Sequence, residues 1–403
     1  MKPASTAGLL IFTLIVLCGA SVFALPRMSI MSGAPCATCH VSPQGGGMRN
    51  EIGWGVSSML GAVEYDDIGM GFMTAPLSNE VIDELLSIGL DARIQVARFG
   101  APQLSVDDRG DALVTTPDRR VIPMQIQPYM AVMPHHTLTL YGTYAAGAGT
   151  FRGDFCDTPF AGQSCYEAQA IYKPSTSLPA LRAGMIQPSM GVRHDDHTML
   201  IRHDAANPRG TLIPPNYAEL GAELTYRPRY WIHGEAGAFR AVNLADAIGN
   251  EAITSANDVA YLARLGWTPR LDFDSFSLVG SIGASTFGAG DFRMDNVFVG
   301  GGLLDRVSLF LEAANLSYGP TIDRQGRNLS ALLSVQTYEW LVFEGRIEEA
   351  RTFLDEELFR TRAAILGIQF FPVPYIELRP EYRLTRTETY AMGQYTIQLH
   401  LFY

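Results

Sequence analysis

From about residue 89 to the C-terminus, apolar and polar side chains alternate at a period of two, in segments separated by connections that are by turns long and short. Tyr395, Ile397, Leu399, Leu401 and Tyr403 fall on one side of the last segment, and Thr396, Gln398 and His400 on the other. Just before it, Ile376, Leu378, Tyr382 and Leu384 alternate with Glu377, Arg379, Glu381 and Arg383. Leu341, Phe343 and Ile347 do the same against Val342, Glu344, Arg346 and Glu348. A soluble sandwich and a membrane barrel both explain one such strand. Their number and their connections separate the two. Sixteen spans can be marked, at 89–99, 121–133, 137–149, 165–173, 180–188, 217–227, 231–241, 258–267, 275–288, 292–302, 307–317, 327–338, 341–351, 359–371, 375–386 and 394–403. The connections 100–120, 150–164, 189–216 and 242–257 are long, and 134–136, 174–179, 228–230, 303–306 and 372–374 are short. Long external loops alternating with short periplasmic turns are the pattern of an up-and-down outer-membrane barrel. The expected fold is all-β: a transmembrane antiparallel barrel of about 16 strands over 89–403, ending on an aromatic residue, with loop 189–216 placed to fold inward.

Composition agrees. The chain has 39 Gly, 20 Phe and 17 Tyr in 403 residues, and 18% of its residues are charged. After the N-terminus it has no apolar run long enough for a membrane helix. The net charge of −11 excludes a nucleic-acid partner. Residues 1–24 read as a signal peptide: Lys2, an apolar core from Gly8 to Ala20, and a Val22-Phe23-Ala24 cleavage site.

Between the signal and the strands lies Cys36-Ala37-Thr38-Cys39-His40. This CxxCH spacing lets two thiols form thioethers to haem vinyl groups while the next histidine reaches the iron. A zinc site would need a second ligand pair, and none follows. A thioredoxin-like pair would want a strand before it and a helix after it, whereas Met31–Pro35 and Val41–Gly47 read as loops. One haem c is expected, with Cys36 and Cys39 as thioethers and His40 as proximal ligand. Met48, after the flexible Gly45-Gly46-Gly47, is a candidate distal ligand. Residues 25–88 are then a monohaem cytochrome segment, too small for a core of its own and expected to lean on or plug the barrel. Its one helix candidate is Asn79 to Ser87.

Cys156 and Cys165 bracket the second external loop, where a disulfide is expected. His194, Asp195, Asp196 and His197 mix imidazole and carboxylate, a set suited to a transition metal such as ferrous iron outside the cell, or simply to a polar loop. His135 and His136 sit in a periplasmic turn as solvated residues, and the Glu/Arg ladders read as interlocking lumen pairs. No nucleophile–base constellation or phosphate loop points to a conventional enzyme.

One CxxCH ahead of a barrel of this size resembles the fused cytochrome–porins of the outer membrane. The resemblance rests on Cys36, Cys39 and His40. The stretch Gln187 to Thr198 is also similar to a segment recurring in barrel subunits of porin–cytochrome conduits. The resemblance implies electron transfer across the outer membrane, with oxidation of extracellular Fe(II) and a periplasmic c-type cytochrome as partner. A solute channel with the haem segment as plug or docking tag is a second expectation, and a haem peroxidase or sensor a third.

Overall fold

The computed structural model describes residues 29, 36–42, 45–71, 85–99, 104–106, 112–114, 119–145, 164–175, 177–194, 196, 198–206, 212–214, 216–229, 231–248, 252–253, 258–273, 276–304, 306–319, 324–388 and 391–403. The expected signal peptide lies outside the described residues, as do Cys156, Asp195 and His197.

Sixteen antiparallel strands close into a barrel. They are β1 Leu86–Phe99, β2 Arg119–His135, β3 Leu138–Tyr144, β4 Tyr166–Tyr172, β5 Ala180–Ile186, β6 Glu219–Arg229, β7 Ile232–Arg240 and β8 Val259–Trp267. The second half is β9 Ser277–Ala289, β10 Phe292–Leu303, β11 Val307–Ser317, β12 Arg324–Tyr338, β13 Leu341–Leu354, β14 Glu357–Val373, β15 Ile376–Arg386 and β16 Ala391–Phe402. Each strand pairs with its sequence neighbours. The ring closes where β1 meets β16, from Asp91 opposite Phe402 to Phe99 opposite Gln394. Two short pieces add to this: a Leu104–Val106 and Ala112–Val114 hairpin in the first external loop, and Arg270–Asp272 alongside β9.

The strands are inverted relative to a soluble protein. On β16, Tyr395 and Ile397 are more than half exposed, while Thr396 and His400 are buried. On β11, Leu309 and Leu311 face out, while Ser308 and Glu312 are buried. Apolar residues outside and polar residues inside suit hydrocarbon around the barrel. No helix among the described residues is long and apolar enough to cross a membrane. Exposed or stacked aromatics gather near the periplasmic ends, including Phe273 with Phe276 and Tyr338 with Trp340, as interfacial girdles do.

The sequence places the strand ends within a few residues of those observed. One expectation fails: Ser87 lies in β1, so no helix runs from Asn79 to Ser87, and 79–84 lie outside the described residues. The first strand starts at Leu86 and takes in Ser87. The helix that forms instead is α1, Glu51–Ser58. The long external loops are confined to the first half of the barrel. The later ones are Gly290–Asp291, 318–323, Asp355–Glu356 and 387–390.

Two bodies of chain fill the barrel. The connection 187–218 folds inward after β5, and α2 (Val242–Ile248) follows β7. Ile186, Met190, Leu212, Tyr217, Leu244 and Ile248 form an apolar core with Phe287, Phe292 and Leu316 of the wall. The second body is the N-terminal segment, docked at the opposite end, by the turn between β14 and β15.

Candidate functional site

The CxxCH motif forms one tight turn. Cys36–Thr38 is a 3-10 turn, and the backbone N–H groups of Cys39 and His40 both donate to the Cys36 carbonyl, at 3.1 and 3.0 Å. A small hairpin follows. Val41 N–H donates to Met48 O at 3.0 Å, His40 pairs with Arg49, and Asn50 N–H returns to Cys39 O at 3.0 Å. Gly45, Gly46 and Gly47 hold φ of 79°, 67° and 61°, the left-handed region that glycine enters without a Cβ penalty. Space around them is tight as well. A Cβ on Gly45 would stand 3.0 Å from Cys36 Cβ and 3.3 Å from its Sγ, one on Gly46 would strike the Arg193 guanidinium, and one on Gly47 would stand 2.9 Å from Tyr141 Oη. The glycine run is therefore the seam along which the motif meets the lumen wall and the inward loop.

α1 clamps the turn from the other side. Asn50 caps it, its side-chain oxygen accepting from Gly53 N–H at 3.0 Å while its amide donates to Thr38 O at 3.0 Å. Glu51 in the first turn suits the positive end of the helix. Gly53 has no room for a side chain, because the Cys39 carbonyl occupies that space. Trp54 stacks on Tyr375 at 5.5 Å and meets Tyr403 edge-on at 6.4 Å, while Arg49 lies over Phe402 at 4.6 Å. Ala62 and Val63 donate to the carbonyls of Phe371 and Pro372, and Tyr65 Oη donates to Pro374 O at 2.8 Å. The segment is thus tied to β14–β16 at the end of the barrel that carries the Pro374–Tyr375 turn, and its hairpin reaches inward to β2 and β3.

Cys36 and Cys39 are both free thiols. Burial, with Cys36 beside it, pushes the Cys39 thiol up, and Arg49 only partly opposes this. A redox-active CxxC needs the reverse, a stabilised thiolate. Cys36 and His40 keep partial exposure. Met48 is buried against Tyr129, Ala131 and Tyr141 of the wall, with Val41 beside it. Alternation along the hairpin puts His40 on the opposite face from this pair. As placed, Met48 is a wall-packing residue.

The inward loop crosses the lumen, and its polar groups pair with the wall on both sides. Arg182 holds Glu223 at 2.8 Å, and Ser189 N–H and Oγ donate to the same carboxylate. His194 Nε2 meets Glu312 Oε2 at 2.9 Å. Asp196 pairs with Arg346 at 2.8 Å and Arg383 at 3.4 Å. Asp204, fully buried, accepts from Tyr318 Oη and from Thr352 Oγ1 at 2.9 Å, and pairs with Arg324 at 2.5 Å. His194 and Asp196 are thus paired to different wall strands, His194 to β11 and Asp196 to β13 and β15. Among the described residues no cluster of three metal-ligating side chains forms.

The Glu/Arg ladders interlock as expected, with Arg379 on Glu344 at 3.0 Å and Arg383 on Glu381 at 3.1 Å. What the sequence did not reveal is that loop carboxylates complete them. His400, read only as a polar strand position, sits between Glu377 (2.9 Å) and Asp91 (3.1 Å). His135 and His136 are exposed in a turn, rings 4.0 Å apart. Cys165 is disulfide-bonded, and its expected partner Cys156 lies outside the described residues.

No protein-family model matches the chain, and no curated protein matches it. Solved structures do. OprB of Pseudomonas putida, in its high-pH structure, superposes with a TM-score of 0.51 over 80% of this chain and 96% of that one, at 11% identity. The loop L8 deletion mutant of OmpT, an outer membrane protein of Vibrio cholerae, gives 0.50 over 79% and 100%, at 9% identity. The fold is porin-like. Identities this low carry the architecture and nothing finer.

Proposed function

We propose that the chain is an outer-membrane, porin-like barrel that carries one covalent haem c on Cys36 and Cys39, with His40 as the proximal iron ligand, and that it transfers electrons across the outer membrane. The observation that carries this reading is the setting of the CxxCH turn. Two unbridged thiols and an imidazole share one turn, which glycine contacts and α1 hold at the lumen wall. The donor set fits the group: both thiols lack a disulfide, and Cys36 and His40 keep accessible surface. When bound, the haem supplies a one-electron couple.

The chain's own residues do the rest. α1 and the Trp54–Tyr375–Tyr403 cluster fix the segment at the periplasmic mouth, where a periplasmic c-type cytochrome would meet it. The inward loop and its apolar core fill lumen that a wide solute pore would leave open. An extracellular donor or acceptor, ferrous iron among them, is the partner implied on the other side. His40→Ala in the full-length protein tests the reading: the barrel inserts as wild type, and whole-cell electron transfer is lost. Unchanged electron transfer would overturn it.

A solute channel plugged by the same segment is the second reading, favoured by the porin-like fold. Planar-bilayer conductance separates the two. A steady open pore in the purified protein supports the channel, and a closed one supports the conduit.

A further inference from the structure

The outward face of β12–β15 carries a concentration of arginines that neither the haem site nor the lumen network uses. Alternation along the strands turns Arg327, Arg351, Arg360, Arg362 and Arg386 outward, since their in-strand neighbours Asn328, Ala350, Thr352 and Ala363 are buried. Register makes them neighbours: Arg327 lies opposite Arg351, Arg351 opposite Arg360, and Arg362 opposite Arg386. With strands about 4.8 Å apart and same-face residues about 6.8 Å apart along a strand, the five fall within a patch of roughly 14 by 7 Å.

One carboxylate shares the patch. Glu349, opposite Arg362, accepts from Arg351 at 2.7 Å, from Arg362 at 2.9 Å and from Arg360. Arg327 and Arg386 are exposed and make no ion pair among the described residues. Like charges directly opposite on paired strands are destabilising. Five cations against one anion, on a chain of net charge −11, therefore call for an external anion.

The surroundings say what kind. The next outward row toward the periplasm is Ala331, Ile347, Ala364 and Leu384, in cross-strand register, with Ile347 65% exposed. The patch thus borders the apolar belt at its extracellular end, below the Asp355–Glu356 turn. An acidic protein would find hydrocarbon-facing side chains along one edge of its footprint. A lipid places its anionic head on the arginines and its acyl chains on that row.

We propose that this patch binds the phosphate groups of a phosphorylated outer-leaflet lipid. Guanidinium forks match phosphate oxygens bidentately, and Glu349 competes with the phosphate for three of them.

The test uses the full-length protein in detergent with diphosphorylated lipid A and its dephosphorylated form, read by titration and by native mass spectrometry. R327Q/R386Q, which leaves the Glu349 network intact, weakens binding of the phosphorylated lipid by about tenfold. E349Q tightens it. R270Q, at the other rim, leaves it unchanged, and dephosphorylated lipid A binds wild type no better than phosphorylated lipid binds the double variant. Gel migration with and without heating confirms that each variant is a folded barrel. Equal binding of the two lipid forms, or an equal loss in R270Q, would overturn the proposal. A changed oligomeric state with lipid binding intact would also overturn it, and would make the patch a contact between copies of the chain.

Discussion

Asp204 offers the sharpest perturbation of the filled lumen. Its side chain is fully buried and gathers Tyr318, Thr352 and Arg324 from three places on the wall, while its own backbone belongs to the inward loop. Asp204→Ala removes the only anion that Arg324 pairs with among the described residues, and the Arg324 side chain is itself only 12% exposed. Stranding one member of a buried ion pair costs about 3–5 kcal/mol. The loop keeps other anchors: Ser189 N–H and Oγ donating to Glu223, Asp196–Arg346, and Asn328 Nδ2 donating to the carbonyls of Ile201 (3.1 Å) and His203 (2.6 Å). The cost therefore falls on local docking, not on the barrel, and shifts the docked-to-undocked ratio of this part of the loop by about two to four orders of magnitude. Limited proteolysis of the reconstituted protein reads this directly. Cleavage within 187–218 accelerates in D204A while the barrel keeps its heat-dependent gel shift. D204A/R324M, which removes both charges, recovers much of the protection. Equal cleavage rates for wild type and D204A would refute the role given to Asp204, and no recovery in the double variant would refute the stranded charge as its cause.

Gly53→Ala forces a Cβ against the Cys39 carbonyl, costs about 1–3 kcal/mol of segment docking, and is read as faster proteolysis of residues 36–71 with the barrel intact. Leu311→Arg places a cation at the middle of β11 on the lipid face and lowers stability in vesicles by about 2–4 kcal/mol by urea unfolding. Burial pushes the hydroxyls of Tyr65 and Tyr375 up. Docking of the segment is then independent of pH up to the ordinary tyrosine pKa near 10 and weakens above it, because the undocked tyrosines ionise first. Y65F loses about 1 kcal/mol of docking with its bond to the Pro374 carbonyl, and part of that alkaline sensitivity with it, measured by proteolysis across pH.

The barrel was legible because a strand in lipid writes its environment at every second residue. Leu309 and Leu311 out, Ser308 and Glu312 in, fix both face and register, and β11 runs from Val307 to Ser317 as the alternation predicts. The CxxCH motif was legible because its residues are contiguous, and they form one turn. α1 was not. Gly53, Gly55 and Ser57 are poor helix formers, and the only local signs were Asn50 at the cap and Glu51 in the first turn. The helix forms because Gly53 lets it close on Cys39 and Trp54 anchors it on Tyr375, the second contact made across more than 300 residues of sequence. The wall contacts of Met48, His194 and Asp196 were not legible for a related reason. Spacing along the chain does not say that Met48 faces the wall, or that His194 and Asp196 reach Glu312 and Arg346 on different strands.

The central claim is a covalent haem on the lumen-docked turn. The most direct measurement is a haem stain of the purified protein after denaturing electrophoresis, paired with a redox-poised absorption spectrum of the folded form. The expected result is haem migrating with the denatured chain, a reduced c-type spectrum, and loss of both in C36S/C39S with the barrel still folded. A wild-type chain that carries no haem through denaturation would contradict the claim and leave a plugged porin-like barrel.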